Sequence, residues 1–77
     1  MYYRRLRDMR EDHDMTQKQI ADILQTTQQV YSEYELGKRE IPLSKAITLA
    51  KLYDCSLDYL VGLSDISPEY NNNANNK

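Results

Sequence analysis

This chain of 77 residues has no tryptophan and no phenylalanine, one cysteine, two glycines and two prolines. Each shortage excludes something. Without Trp or Phe, the seven tyrosines must supply the aromatic bulk of any core. The single Cys55 excludes an internal disulfide and fits a reducing cytoplasm. No apolar run is long enough to span a membrane, and no signal-peptide pattern is present. There is no Gly-rich phosphate loop, no nucleophile triad and no pair of carboxylates with an evident pocket, so no enzymatic activity is expected. His13 stands between Asp12 and Asp14 without a second ligand at metal spacing. It reads as a solvated loop residue, and neither a metal nor a cofactor is expected. The length suits one small domain with a modest core, and no second, ligand-sensing domain is visible.

What the chain does have is concentrated between Thr16 and Gly37, TQKQIADILQTTQQVYSEYELG. This stretch reads as two short helices separated by one turn. Thr16 precedes Gln19 by three residues, the spacing of a capping box. Ile20, Ala21 and Leu24 then form an apolar stripe with Ile23 beside it. Gln17 and Lys18 occupy the helix start, where free N–H groups and the helix dipole attract an anion such as a phosphate. The second helix can be capped by Thr26 or Thr27 and closed by Gly37 in a left-handed conformation. At about 100° per residue, Val30, Tyr31 and Tyr34 share an inward arc. Gln28, Gln29, Ser32, Glu33 and Leu36 share the opposite one. That outer arc is mostly amide and hydroxyl rather than the Lys/Glu mixture of a solvated face. A glutamine presents a donor and an acceptor side by side, which matches N6 and N7 of adenine in the major groove. The wheel alone admits both an ordinary polar surface and a base-reading face.

These residues resemble the DNA-binding domain of the lambdoid phage repressor and Cro family, the xenobiotic-response-element type regulators. The resemblance runs through Thr16-Gln17, Ile20-Ala21 and Thr27-Gln28-Gln29. It continues through Glu35, Gly37, Lys38, Arg39 and Pro42, then Leu49-Ala50 and the Ser56-Leu57-Asp58-Tyr59-Leu60 helix start, covering roughly residues 6 to 62. It implies an all-α, five-helix lambda-repressor-like domain with a central helix-turn-helix. It also implies an ion pair between Arg10 and Glu35, and self-association through the region of Leu57, Tyr59, Leu60 and Leu63. Two features depart from the family pattern. Gln25 stands where the family usually has glycine, and a non-glycine residue in the left-handed region costs roughly 1 kcal/mol. Glu33 and Glu40 lie near the expected path of a phosphate backbone and would repel it.

The net charge of −2 has the wrong sign for a nucleic-acid binder taken as a whole. Its distribution matters more. Residues 1–14 balance four Arg against four acids, and residues 15–45 are also balanced. The deficit lies at 46–77, where two Lys face four acids.

The other helices are expected from about Tyr3 to Asp12, with Leu6, Met9 and Tyr2 or Tyr3 inward, and from about Leu43 to Tyr53. The latter has Leu43, Ala46, Ile47, Ala50 and Tyr53 at helical spacing after Pro42. A short fifth helix, capped by Ser56, should run through Val61 and stop at Gly62. Tyr31, Tyr34, Tyr53 and Tyr59 read as core aromatics with wet hydroxyls, and Cys55 as a small buried or half-buried residue. The sequence thus divides into a domain at 1–64 and an Asn-rich flexible tail at 65–77.

The expectation is a regulator, a repressor, that binds double-stranded DNA. Thr27, Gln28, Gln29, Ser32 and Glu33 would face the bases, and Gln17, Lys18, Lys38 and Arg39 the phosphates. The family geometry implies a homodimer on a pseudo-palindromic operator with half-sites about 34 Å apart. The alternative is a protein-interaction module, such as an antitoxin or anti-repressor. Leu36, Glu33, Glu40 and the acidic balance lean that way.

Overall fold

Local capping signals fix the starts of three helices and the end of one. The computed structural model describes residues 2–63, so the Asn-rich segment at 65–77 lies outside the described residues. Five helices follow in order: α1 (Arg4–Asp12), α2 (Gln17–Ile23), α3 (Gln28–Leu36), α4 (Leu43–Leu52) and α5 (Leu57–Leu60). No strand occurs among the described residues. Thr16 completes a capping box with Gln19: its hydroxyl accepts from the Gln19 N–H at 3.1 Å, and its own N–H donates to Gln19 Oε1 at 2.8 Å. Thr27, not Thr26, caps α3 by accepting from the Val30 N–H. Ser56 caps α5 by accepting from the Tyr59 N–H. Gly37 ends α3 at φ 76°. A side chain there would be strained, and an added Cβ would meet the Cα and Cβ of Tyr2 at 3.1 Å.

The core gathers Leu6 and Met9 of α1, Ile20, Ala21 and Leu24 around α2, and Tyr31 and Tyr34 of α3. Ile41, Ala46, Leu49, Ala50, Tyr53 and Leu60 complete it. In α4 the buried stripe differs from the expected one. Ala46, Leu49, Ala50 and Tyr53 face inward, whereas Leu43 and Ile47 are exposed. Both stripes keep helical spacing, and packing on α5 and the rest of the core selects the one containing Leu49.

The expectation of wet tyrosine hydroxyls fails for two residues. Tyr31 and Tyr53 are fully buried, and their hydroxyls have no hydrogen-bond partner among the described residues. Burial raises the pKa of both, and the Glu35 carboxylate adds to the rise. His13 is solvent-exposed at the end of α1, with Nδ1 2.9 Å from the Met9 carbonyl oxygen and its ring tilted against that of Tyr53. Cys55 is half-buried, and burial pushes its thiol pKa up, with Asp54 contributing. Among the described residues no cluster of acidic, His or Cys side chains could hold a metal, and no helix is long and apolar enough to cross a membrane.

Candidate nucleic-acid interface

The turn between α2 and α3 sets the two helices against each other, and they pack directly. Gln25 occupies it at φ 59°, so the left-handed position is filled without glycine. Its N–H donates to the Asp22 carbonyl at 3.2 Å, and that of Thr26 to the Ala21 carbonyl at 2.9 Å. These bonds satisfy carbonyls at the end of α2 that would otherwise lack partners. Lys45 of α4 adds a charged cap, donating from Nζ to the Leu24 carbonyl at 2.7 Å.

Beneath this unit α1 and α3 are joined by Arg10 and Glu35. Arg10 Nε donates to Glu35 Oε2 at 2.6 Å and Nη2 to Oε1 at 3.2 Å, while Nη1 donates to the Met15 carbonyl. The Glu35 side chain is only 4% exposed. Burial pushes its carboxyl pKa up, but hydrogen bonds from Arg10 and Gln17 pull it down further, so the net shift is downward. The Tyr31 hydroxyl also lies close enough to lower it, though its geometry falls short of a hydrogen bond.

Gln17 is not placed as expected. Its Nε2 donates to Glu35 Oε1 at 3.1 Å, so the side-chain amide is turned toward the buried pair. The physical reason is the uncompensated acceptor capacity of a carboxylate inside the protein, which attracts any donor within reach. Gln17 keeps its place at the start of α2, where the helix dipole acts.

Five of the remaining expected residues share one face with Gln17 and Leu36. Gln17, Gln28, Gln29, Ser32, Glu33, Leu36 and Lys38 line a single open depression. Thr27, Gln28 and Gln29 are exposed, and Ser32 and Glu33 half-exposed. Two of the expected phosphate contacts are already paired. Lys18 lies 3.8 Å from Asp22 on the exposed side of α2. Arg39 Nε donates to Glu33 Oε1 at 2.8 Å, which raises the Arg39 pKa. Lys38 has no ion-pair partner among the described residues. Glu40 turns to α1 and accepts from the Tyr3 hydroxyl at 2.8 Å, which lowers its carboxyl pKa. Sequence reasoning missed the Glu33–Arg39 pair, although its six-residue spacing across a helix-ending glycine was a usable signal.

The residues expected to associate divide. Leu60 is fully buried in its own chain and has no surface to offer a second copy. Tyr59 is half-exposed and stacks under the Arg5 guanidinium, 4.1 Å from its ring centre. Leu57 and Leu63 line an apolar groove with Tyr3, Ile41, Leu43, Ala46 and Val61.

Comparison with known proteins supplies independent findings. The helix-turn-helix family matches residues 6–60. The chain is 42% identical over 65 residues to the uncharacterized HTH-type transcriptional regulator YobD of Bacillus subtilis (strain 168), covering 84% of this chain and 58% of that protein. It is 31% identical over 74 residues to the HTH-type transcriptional regulator ImmR of the same organism, covering 96% of this chain and 58% of that one. The matched region thus spans little more than half the length of these relatives. A crystal structure of a transcriptional regulator from Listeria innocua superposes with a TM-score of 0.77 at 22% identity, over 100% of this chain and 78% of that one. At that identity the likeness establishes the shared fold.

Proposed function

Because the chain belongs to the helix-turn-helix family over residues 6–60, we propose that it binds double-stranded DNA sequence-specifically and regulates transcription, as a repressor. One observation carries this reading. α3 presents a row of uncharged donors and acceptors, exposed Gln28 and Gln29 and half-exposed Ser32, on the same face as Gln17 at the start of α2, with exposed Thr27 capping the helix. Base edges in the major groove are read by such groups, whereas phosphates take the cations and helix starts around them. In this reading Gln28 and Gln29 contact base edges. Lys18, Lys38 and the N-terminus of α2 hold the backbone, with the Lys18–Asp22 pair weak enough at an exposed surface to yield to a phosphate.

A single domain of this size covers little DNA. Two copies on a pseudo-palindromic operator are the natural arrangement, with the groove around Leu57 and Leu63 as the surface of self-association. Exposed Leu36 beside the glutamines favours a second reading, in which the same face holds a protein partner. Selection of bound duplexes from a random pool by the purified protein tests the two. Enrichment of a two-fold-related sequence supports DNA reading. A pool that stays random while no duplex binds saturably at low salt rejects it.

A further inference from the structure

Glu33 is the residue most at odds with a DNA-facing role, because a carboxylate on that face repels phosphates. Its surroundings explain how it is kept there. Gly37 reverses the chain after α3, and the next two residues fold back onto the last turn. The Glu33 carbonyl accepts from the N–H groups of Lys38 at 2.9 Å and Arg39 at 3.3 Å. The Glu33 side chain then accepts from Arg39 Nε at 2.8 Å. One residue therefore holds the following turn by both its backbone and its carboxylate. Arg39 offsets part of the charge and engages Oε1. Oε2 has no hydrogen-bond partner among the described residues. The Glu33 side chain is 27% exposed and lines the same depression as Gln28, Gln29 and Ser32. It follows Gln29 by one helical turn, about 6 Å further along the same face.

We propose that Glu33 is a specificity-determining residue that accepts a hydrogen bond from the N4 amino group of cytosine in the major groove, and that Arg39 is the residue that positions it. The inference rests on the DNA-binding reading and sharpens it. An acceptor-only group needs a base edge that offers a donor. Cytosine presents its N4 amino group in the major groove with no acceptor of its own beside it. Adenine also offers a donor at N6, but its N7 acceptor lies next to it and would face the carboxylate. Guanine and thymine present acceptors that repel it outright. Arg39 thus leaves the set of simple phosphate contacts. Its guanidinium serves the carboxylate, whose negative charge also disfavours any DNA lacking the matching cytosine.

The test is binding of the full chain to the selected duplex and to its single-base variants at several salt concentrations. Wild type should prefer C·G over the other pairs about ten-fold at one position per half-site, close to the pair read by Gln29. Glu33→Gln keeps size and polarity but supplies a donor beside an acceptor. It should shift that position toward A·T and strengthen binding to non-specific DNA. Arg39→Ala should lose most of the same C·G preference with little change in the slope of affinity against salt. The double variant should discriminate at that position no worse than Glu33→Gln alone. Arg39→Lys, which keeps the charge but not the planar donor, should recover the preference only in part. The inference is overturned if Glu33→Gln leaves every base preference unchanged. It is also overturned if Arg39→Ala weakens all duplexes alike, keeps the C·G preference and lowers the salt slope by about one counterion, the behaviour of a plain phosphate contact. Absence of saturable binding by wild type would overturn the DNA-binding reading itself, and this inference with it.

Discussion

Arg10 on α1 and Glu35 on α3 are joined by two hydrogen bonds of 2.6 and 3.2 Å, with the carboxylate enclosed and the guanidinium nearly so. A buried pair of this kind contributes less to net stability than its geometry suggests, because both charges lose their water. Breaking it is another matter, since the remaining charge is stranded. Glu35→Ala should therefore cost about 3–5 kcal/mol in urea unfolding, and Arg10→Ala a comparable amount. Replacing both residues with apolar ones of similar volume, Arg10→Met with Glu35→Leu, should recover much of that loss. Recovery will be incomplete, because Gln17 also donates to Glu35.

The same carboxylate sets the acid sensitivity of the fold. Its pKa lies below the ordinary 4.5, with burial acting upward and the donors of Arg10 and Gln17 prevailing. A depressed folded-state pKa means the stabilisation is complete above the unfolded value and disappears as pH falls through the folded one. Stability should be flat from neutrality to about pH 5 with respect to this group, then fall below about pH 4. Arg10→Met/Glu35→Leu should flatten that acid limb. Unfolding free energies of the two proteins between pH 3 and 7, measured in steps, check the expectation.

Two left-handed positions should respond in opposite senses to changes in glycine. Gln25→Gly relieves a conformation that costs a side-chain-bearing residue about 1–2 kcal/mol, offset by about 0.5–1 kcal/mol of extra unfolded-chain entropy. A small gain in melting temperature is expected. Gly37→Ala incurs the conformational cost and also forces the new methyl group against the Tyr2 backbone. It should lose more than about 1 kcal/mol. Thermal unfolding of the two variants beside wild type reads both signs in one experiment.

Within the DNA-binding reading, Gln28→Ala and Gln29→Ala should each lose about 1–3 kcal/mol of discrimination at one base pair per half-site, with non-specific affinity barely changed. Lys38→Ala should weaken all duplexes alike and reduce the salt slope by about one. Titrations on the selected site and its single-base variants separate the two patterns. Equal loss on all DNA from the glutamine changes would reject direct readout by α3.

The leucines near α5 should also separate by burial. Leu63 is 79% exposed, so Leu63→Glu should leave the fold intact and abolish the weak self-association proposed for the groove it lines. Leu60 is fully enclosed, and Leu60→Ala should cost about 2–5 kcal/mol of monomer stability. Sedimentation with and without a palindromic duplex measures the first effect and urea unfolding the second. Wild type that stays monomeric in both conditions would remove the dimer proposal.

By itself the sequence determined the five helices and, to within a residue or so, where they start and stop. Caps such as Thr16 with Gln19, Ser56, and the terminator Gly37 act within a few residues, so their effect can be read locally. The period of apolar residues likewise showed the inner face of α2 and α3, because those stripes had one apolar side. Only the tertiary structure decided matters in which two local solutions compete or a partner lies far along the chain. Helix α4 had two usable apolar stripes, and its neighbours chose Leu49 over Leu43 and Ile47. Gln17 could face solvent or Glu35, eighteen residues away, and the buried carboxylate drew it in. Leu60 and Leu63 look alike as sequence, yet only Leu60 lies on the side of α5 that meets the core. Tyr31 and Tyr53 lost their solvent because the aromatic bulk needed at the centre of a chain without Phe or Trp carries a hydroxyl with it. Arg39 could serve a phosphate or a carboxylate, and the reversal of the chain at Gly37 set it beside Glu33. Local propensity is fixed by neighbours in sequence. The partner of a long polar side chain is fixed by neighbours in space.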